Sequence, residues 1–243
     1  MLLLVVLPTY NEVGSLARVV GDLLALRLPD VDLHLLIVDD ASPDGTGRLA
    51  DRLSQQEPTR VAVLHRSGRR GLGSAYIDGF TRALAGGADL IAQMDADLSH
   101  QPSALIAMCE AIRDADLVIA SRYLEHGGVD VHWSWYRKLL SRLANRTVVP
   151  ALLKLPVSDA TSGYRLWRRA ALARIAPAVS IRSSGYGFQV EMAYLAHRLG
   201  CRIREVPIYF PERETGQSKM NLAVALAAAG EIFAIRYRHR HAG

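Results

Sequence analysis

The chain has 243 residues, 50% of them hydrophobic and 22% charged, which describes a folded protein with room for a sizeable core and excludes a disordered one. A net charge of +5 suits anionic partners, whether nucleic acid, a phosphorylated substrate or an anionic membrane face, without choosing among them. Two cysteines, Cys109 and Cys201, lie far apart in apolar surroundings, as buried free thiols of a reducing compartment would.

Residues 2–7 form a continuous apolar run, so a strand buried on both faces is expected. Asn11 is placed to cap a helix running to about residue 26, and residues 33–38 form the next strand. SPDGTG at 42–47 breaks the chain and opens another helix. A short strand at 61–65 precedes GRRGLGSAYIDGF, which leads into a helix ending near AGGAD. Strand 90–94, helix 102–114 and strand 117–120 continue the alternation. Such repetition implies an α/β fold with a mostly parallel sheet flanked by helices.

After Ser121 the rhythm changes. HWSWYRKLLSRLANRTVVPALL is an amphipathic helix by pattern, DATSGYR and RSSGYGFQ are turn-rich, 201–210 is a strand, and 220–237 is a helix ending in RYRHRH. No repeat or linker divides the chain, so a single domain is expected: a nucleotide-binding half at about 1–121 and an acceptor and membrane-facing half at about 122–243. The apolar start lacks a basic leader, and the later apolar stretch 222–235 is interrupted by Glu231. A cytoplasmic chain with no signal peptide and no transmembrane domain is the expectation.

Ligands of an open parallel sheet bind beyond the carboxyl ends of its strands. Three expected strands end there in polar clusters: PTYNE, DDASPDG and DADLSH. Asp95 and Asp97 stand one residue apart, and alternation puts both on one side of the strand end, where like charges repel. They are hard oxygen ligands of the kind that hold Mg²⁺ or Mn²⁺ together with substrate phosphates. A bare D-x-D is usually a turn cap; its place after a buried strand and before Ser99 and His100 favours the metal role. His100 fits a ligand or a structural hydrogen bond equally.

Asp39 is assigned to a nucleotide, with Asp40 left open; either suits a turn cap as well. Tyr10 is placed to lie along a base and Glu12 to bond it, although a glutamate in a first helical turn is ordinary. GLG at 71–73 fails as a dinucleotide fingerprint because the sixth position is Tyr76, and a tight helix start is expected instead. Arg122 after LVIAS, and Arg213 and Lys219 in FPERETGQSKM, are candidate phosphate ligands, the last two on a loop able to close over a diphosphate. Glu191 is a charge on an otherwise apolar helix, and pattern alone does not separate a buried functional carboxylate from a half-exposed one.

PTYNE, VDDASPDGT, GLGSA, MDADLSHQP, SRY, DATSGYR, GYGFQVEM and VPIYFPERETGQSKM occur in this order across nearly the whole chain. The sequence thereby resembles glycosyltransferase family 2, specifically the dolichol- or polyprenol-phosphate mannose synthases. The resemblance implies a GT-A (Rossmann-like) fold and an inverting, metal-dependent transfer of mannose from GDP-mannose to a polyprenyl (dolichyl) monophosphate. It places the guanosine on Pro8, Tyr10, Glu12, Ile37 and Asp39, the metal and diphosphate on Asp95, Ala96 and Asp97, and donor and acceptor phosphates on Arg122, Arg213 and Lys219. Some relatives carry Gln where this chain has Ser99, which puts a metal contact there in doubt. Relatives without membrane spans sit on the membrane or rely on a membrane-anchoring partner subunit.

A lipid phosphate is already an anion and needs no base; the site must supply charge neutralisation and in-line placement. The greasy acceptor implies contact with a membrane surface. Residues 132–150 fit it, with Trp133, Trp135 and Tyr136 beside Arg137, Lys138, Arg142 and Arg146. RYRHRH adds electrostatic attraction or is simply a disordered end. Rival readings are a UDP-sugar-dependent synthase of polyprenyl-phosphate glucose or N-acetylhexosamine, a nucleotidyltransferase, and a non-catalytic RNA-binding protein. The second lacks a glycine-rich, lysine-bearing loop and the third lacks an aromatic–basic RNA motif, so no nucleic-acid partner is expected.

Overall fold

A computed structural model describes residues 1–130, 139, 141–178, 186–211 and 222–240. Strands β1 (Leu2–Thr9), β2 (Asp32–Asp39), β3 (Val61–His65), β4 (Leu90–Gln93) and β5 (Leu117–Ser121) alternate with helices α1 (Leu16–Leu24), α2 (Thr46–Gln56), α3 (Leu72–Ala85) and α4 (Ala104–Ala111). There follow a two-residue strand β6 (Gly128–Val129), α5 (Val149–Leu153), β7 (Arg165–Arg168), α6 (Arg169–Ile175), α7 (Tyr186–Arg198), β8 (Ile203–Pro207), β9 (Tyr209–Phe210) and α8 (Leu222–Arg238). The main sheet has seven strands in the order β3-β2-β1-β4-β7-β5-β8; β6 and β9 form a separate pair. β7 runs antiparallel to both its neighbours, and the other pairings in the main sheet are parallel.

Alternation along β1 divides the core. Leu3, Val5 and Leu7 pack with Leu16, Val19 and Met108 on one face, whereas Val6 packs with Tyr76, Phe80 and Phe188 on the other. Both faces are covered, which is why this strand shows no polar alternation. Helix α3 lies close to the sheet at Gly79, where an added Cβ would come within 2.4 Å of Val6 Cγ1 and 3.3 Å of Val38 Cγ2. Gly79→Ala is expected to cost about 1–3 kcal/mol by overpacking. Chemical denaturation reads it, and an unchanged midpoint would contradict the packing.

The first five strands stand where periodicity puts them. Asn11 does not cap a helix: its φ is +63°, a left-handed value that a short polar residue tolerates, and its N–H donates to Ser42 Oγ at 3.1 Å. The chain turns first, with the Glu12 carbonyl accepting from the amides of Ser15 and Leu16. The turn expected around DATSGYR continues into β7, a strand whose apolar signal is masked by Arg165. That arginine is fully buried because its guanidinium donates to the carbonyls of Ser162 (3.0 Å) and Ala160 (2.7 Å). The expected strand 201–210 is two strands, β8 on the main sheet and β9 against β6.

Both cysteines are partly buried and free. Burial pushes the Cys109 thiol up to about 11. Its alkylation at pH 8 is therefore expected to be about a hundredfold slower than that of an exposed cysteine, since the thiolate is the nucleophile. Timed iodoacetamide labelling with mass detection checks this, and labelling at the rate of a peptide thiol would contradict it.

Candidate active site

The strand order reverses between β1 and β4, because the chain goes from β1 outward to β3 and returns on the other side of β1. Such a switch point opens a crevice at the carboxyl ends of the strands. Its walls are Pro8, Thr9, Tyr10 and Glu12 after β1, Asp95, Ala96 and Asp97 after β4, and Asp40, Arg69, Gly71, Leu72 and Ala75 from β2 and the start of α3. Six of the residues singled out in the sequence are thus brought into one cleft: Pro8, Tyr10, Glu12, Asp95, Ala96 and Asp97.

Each carboxylate is held differently. Asp97 is 6% exposed, and its Oδ1 accepts from the Ser99 amide at 3.1 Å and from the Ser99 hydroxyl. That turn passes through Leu98 at φ +65°. Ser99 is therefore occupied in orienting Asp97. Asp95 Oδ1 accepts from the Tyr76 hydroxyl at 3.2 Å. Burial, then the nearby Asp95 charge, raises the Tyr76 phenol well above its usual range, so it stays a donor. The Asp95 amide donates to His100 Nδ1 at 3.0 Å, and the His100 ring stacks on Tyr164 with centroids 4.9 Å apart. His100 thus makes the structural hydrogen bond, with Nδ1 as acceptor.

Asp39 and Asp40 divide the work at the end of β2. Asp39, 4% exposed, accepts from Thr9 Oγ1 (3.3 Å), Ser42 Oγ (2.6 Å) and the Ser42 amide (3.2 Å), which locks the ends of β1 and β2 together. Asp40 reaches the cleft. It accepts from the amides of Arg70 and Gly71 (2.8 Å for Gly71) and pairs with the buried guanidinium of Arg66. It thereby fixes the 66–71 loop and the start of α3, where Gly71 adopts φ +90°. The GLG segment is the tight helix start expected of it.

That loop delivers Arg69, whose guanidinium lies 4.1 Å above the Tyr10 ring. Arg69 escaped the sequence reading; the doublet in GRRGLG beside a helix-opening glycine was its only signal. Glu12 Oε2 accepts from Ser15 Oγ at 2.9 Å, and its amide donates to Thr46 Oγ1.

Ile37 and Arg122 are not on this wall. Ile37 is fully buried in β2, paired with Leu7 and Val63 and packed in the core, so its side chain supports the strand. Arg122 ends β5, two strands from β4. Asp159 accepts from its Nε and Nη2, both at 2.7 Å, and Thr161 Oγ1 accepts at 2.8 Å. The Arg122 guanidinium lies 5.5 Å from the Phe210 ring, which meets His100 edge-on at 5.5 Å, so Arg122 is one ring removed from the Asp95 turn. Arg213 and Lys219 lie outside the described residues, as do Trp133, Trp135, Tyr136, Arg137 and Lys138. Glu191 is fully buried and accepts from Nη1 of Arg238, the last residue of α8, and from Nε2 of His239 just beyond it.

Among the described residues lining the cleft, four carboxylates (Glu12, Asp40, Asp95 and Asp97) face one guanidinium, Arg69. Asp40 is neutralised by Arg66. Carboxylates placed as Asp95 and Asp97 are repel a diphosphate, and a divalent cation held between would turn that repulsion into attraction. Two hard oxygen donors on one turn, with room for substrate phosphates, fit Mg²⁺ or Mn²⁺, which are bound by one or two carboxylates rather than a full protein cage. Among the described residues no group of three or more His, Cys, Asp or Glu forms such a cage.

A carboxylate pair and an aromatic wall at the switch point of a mostly parallel sheet fit a sugar-nucleotide transferase of the GT-A class. The chain belongs to glycosyl transferase family 2, whose family model matches residues 4–176. It is 48% identical over 221 residues to an undecaprenyl-phosphate mannosyltransferase of Micrococcus luteus, covering 91% of this chain and 88% of that protein. It is 45% identical over 219 residues to a polyprenol monophosphomannose synthase of Mycolicibacterium smegmatis, covering 90% of this chain and 80% of that protein. In fold it matches the glucosyl-3-phosphoglycerate synthase of Mycobacterium tuberculosis solved with Mn²⁺, UDP and glucosyl-3-phosphoglycerate, with a TM-score of 0.66 at 20% identity over 97% of this chain and 79% of that one. The mannosyl-3-phosphoglycerate synthase of Rubrobacter xylanophilus gives a TM-score of 0.65 at 20% identity over 99% of this chain and 74% of that one.

Proposed function

We propose that this glycosyltransferase moves mannose from GDP-mannose to a polyprenyl monophosphate, with inversion and with a divalent metal. The observation that carries the reading is the Asp95–Asp97 pair facing Tyr10, Glu12 and Arg69 across the switch-point cleft. The relatives named above support the choice of sugar and acceptor.

In this reading the guanine lies against Tyr10, with Glu12 accepting from its N–H groups. Pro8 and Ala96 bound the cleft, and Asp39 holds the β1 and β2 ends in register through Thr9. Asp95 and Asp97 would hold Mg²⁺ or Mn²⁺, which supplies the positive charge that stabilises a leaving diphosphate. Tyr76 and Ser99 fix the two carboxylates before substrate arrives, so little reorganisation is left for the reaction. The acceptor phosphate attacks as an anion, so no general base is assigned. Arg122, oriented by Asp159, is assigned to phosphate placement together with Arg213 and Lys219.

A lipid-linked acceptor places the work at a membrane surface. Among the described residues no helix is long and apolar enough to cross a membrane. Within residues 132–150, Leu139 and Leu143 are 55% and 49% exposed, consistent with an amphipathic face turned to lipid or to a membrane-anchoring subunit.

Labelled mannose should pass from GDP-mannose to a polyprenyl phosphate in detergent with Mg²⁺ or Mn²⁺, and not with chelator. UDP-glucose run in parallel should give no lipid product; a product from UDP-glucose alone would overturn the donor assignment.

A further inference from the structure

The C-terminal helix α8 has two unlike faces. Ile232, Ile235 and His239 are buried, at 4%, 0% and 8% exposure, and point inward at helical spacing. The opposite face carries Phe233 at 59% and Tyr237 at 69% exposure, flanked by exposed Arg236 and Arg240. The Arg240 guanidinium covers the Tyr237 ring at 4.3 Å. Two large aromatic side chains one turn apart, rimmed by arginine, have the make-up of an interaction surface.

This orientation is fixed from inside. The buried Glu191 carboxylate of α7 accepts from Arg238 Nη1 and His239 Nε2, and the Glu231 carboxylate sits against Gly187. Arg198 at the end of α7 donates to the Arg240 carbonyl at 3.4 Å. The basic run RYRHRH is therefore divided: Arg238 and His239 anchor the helix, while Arg236, Tyr237 and Arg240 face out. Helix α7 also reaches the active site, where Phe188 stacks on Tyr76 with ring centroids 6.0 Å apart. From Phe188 to Arg198 is about 15 Å along the helix. The Arg240 end of the exposed face thus sits at the end of α7 remote from Tyr76.

We propose that Phe233, Arg236, Tyr237 and Arg240 form the surface that seats the enzyme on an anionic phospholipid bilayer. The inference rests on the reading of a lipid-linked acceptor. Arginines that hold phosphate head groups beside rings at head-group depth are the chemistry of an interfacial helix, and they complement anionic lipid in charge. Seated so, the enzyme is held at the surface in which the isoprenoid tail of its acceptor is dissolved.

Co-sedimentation with vesicles tests this without donor or turnover. Wild type should bind phosphatidylglycerol-rich vesicles, weakly at high salt, and bind pure phosphatidylcholine poorly. Arg236→Gln/Arg240→Gln should lower partitioning about thirtyfold, and Phe233→Ser/Tyr237→Ser about tenfold. Both variants should keep wild-type GDP binding and wild-type transfer to a short-chain acceptor in detergent. Failure of wild type to bind anionic vesicles, or binding of both variants like wild type, overturns the proposal. Binding to native membranes that is lost when those membranes are protease-treated overturns it in favour of a protein partner. Vesicle binding without any mannose transfer would count against the reaction alone.

Discussion

Asp97→Asn should abolish nearly all transfer while leaving the fold intact. The amide is isosteric, and its carbonyl oxygen can still accept from the Ser99 amide and hydroxyl, so the 97–99 turn survives. What is lost is a negative charge on a wall where the proposed cation must sit. Lewis-acid stabilisation is worth several kcal/mol, so a fall of about 10³-fold in kcat/KM is expected. GDP should bind more weakly than to wild type in the presence of Mn²⁺ and no more weakly in chelator, where the repelling charge is gone, as calorimetry would show. Near wild-type transfer by a folded Asp97→Asn enzyme would remove the metal from the mechanism.

The second large effect is on stability. Asp159 is fully buried and accepts from the Arg122 amide, Nε and Nη2, while Glu205 accepts from the amides of Ser158 and Asp159. Asp159→Ala takes the Asp159 carboxylate away from a guanidinium that is 7% exposed. Breaking one side of such a pair costs about 3–5 kcal/mol, and at this chain length that lowers Tm by about 10 °C. Replacing both partners, as in Arg122→Met/Asp159→Leu, should restore most of the stability, because an apolar pair avoids the desolvation cost. It should not restore transfer if Arg122 places a phosphate. Calorimetric melting and transfer assays on the three proteins separate the two roles. A double variant with wild-type activity would reduce Arg122 to a structural part.

The first half of the fold was legible because β1, β2, β4 and β5 are buried along most of their length and read as largely apolar runs, and glycine or a short polar cluster marks each helix start. The cleft followed from the same logic: polar clusters after β1 and β4 must meet if the strands are parallel neighbours. β7 was illegible because a fully buried arginine, bonded to local carbonyls, breaks the apolar pattern of a four-residue strand. Asp39 and Asp40 could not be told apart in sequence, since their difference lies in partners contributed by Thr9, Ser42, Arg66 and Gly71 from other segments. Arg69 was hidden among 29 basic residues, and only the loop held by Asp40 brings it over Tyr10. Glu191 needed its distant partners at the end of α8 before its burial made sense.

The most direct test is an NMR spectrum of the lipid product made from GDP-mannose and a polyprenyl phosphate. In-line attack by the acceptor phosphate predicts a single mannosyl phosphate ester with the configuration at C1 inverted, β from an α-linked donor. A retained α configuration, or no mannosylated lipid from a folded, metal-supplied enzyme, would contradict the account.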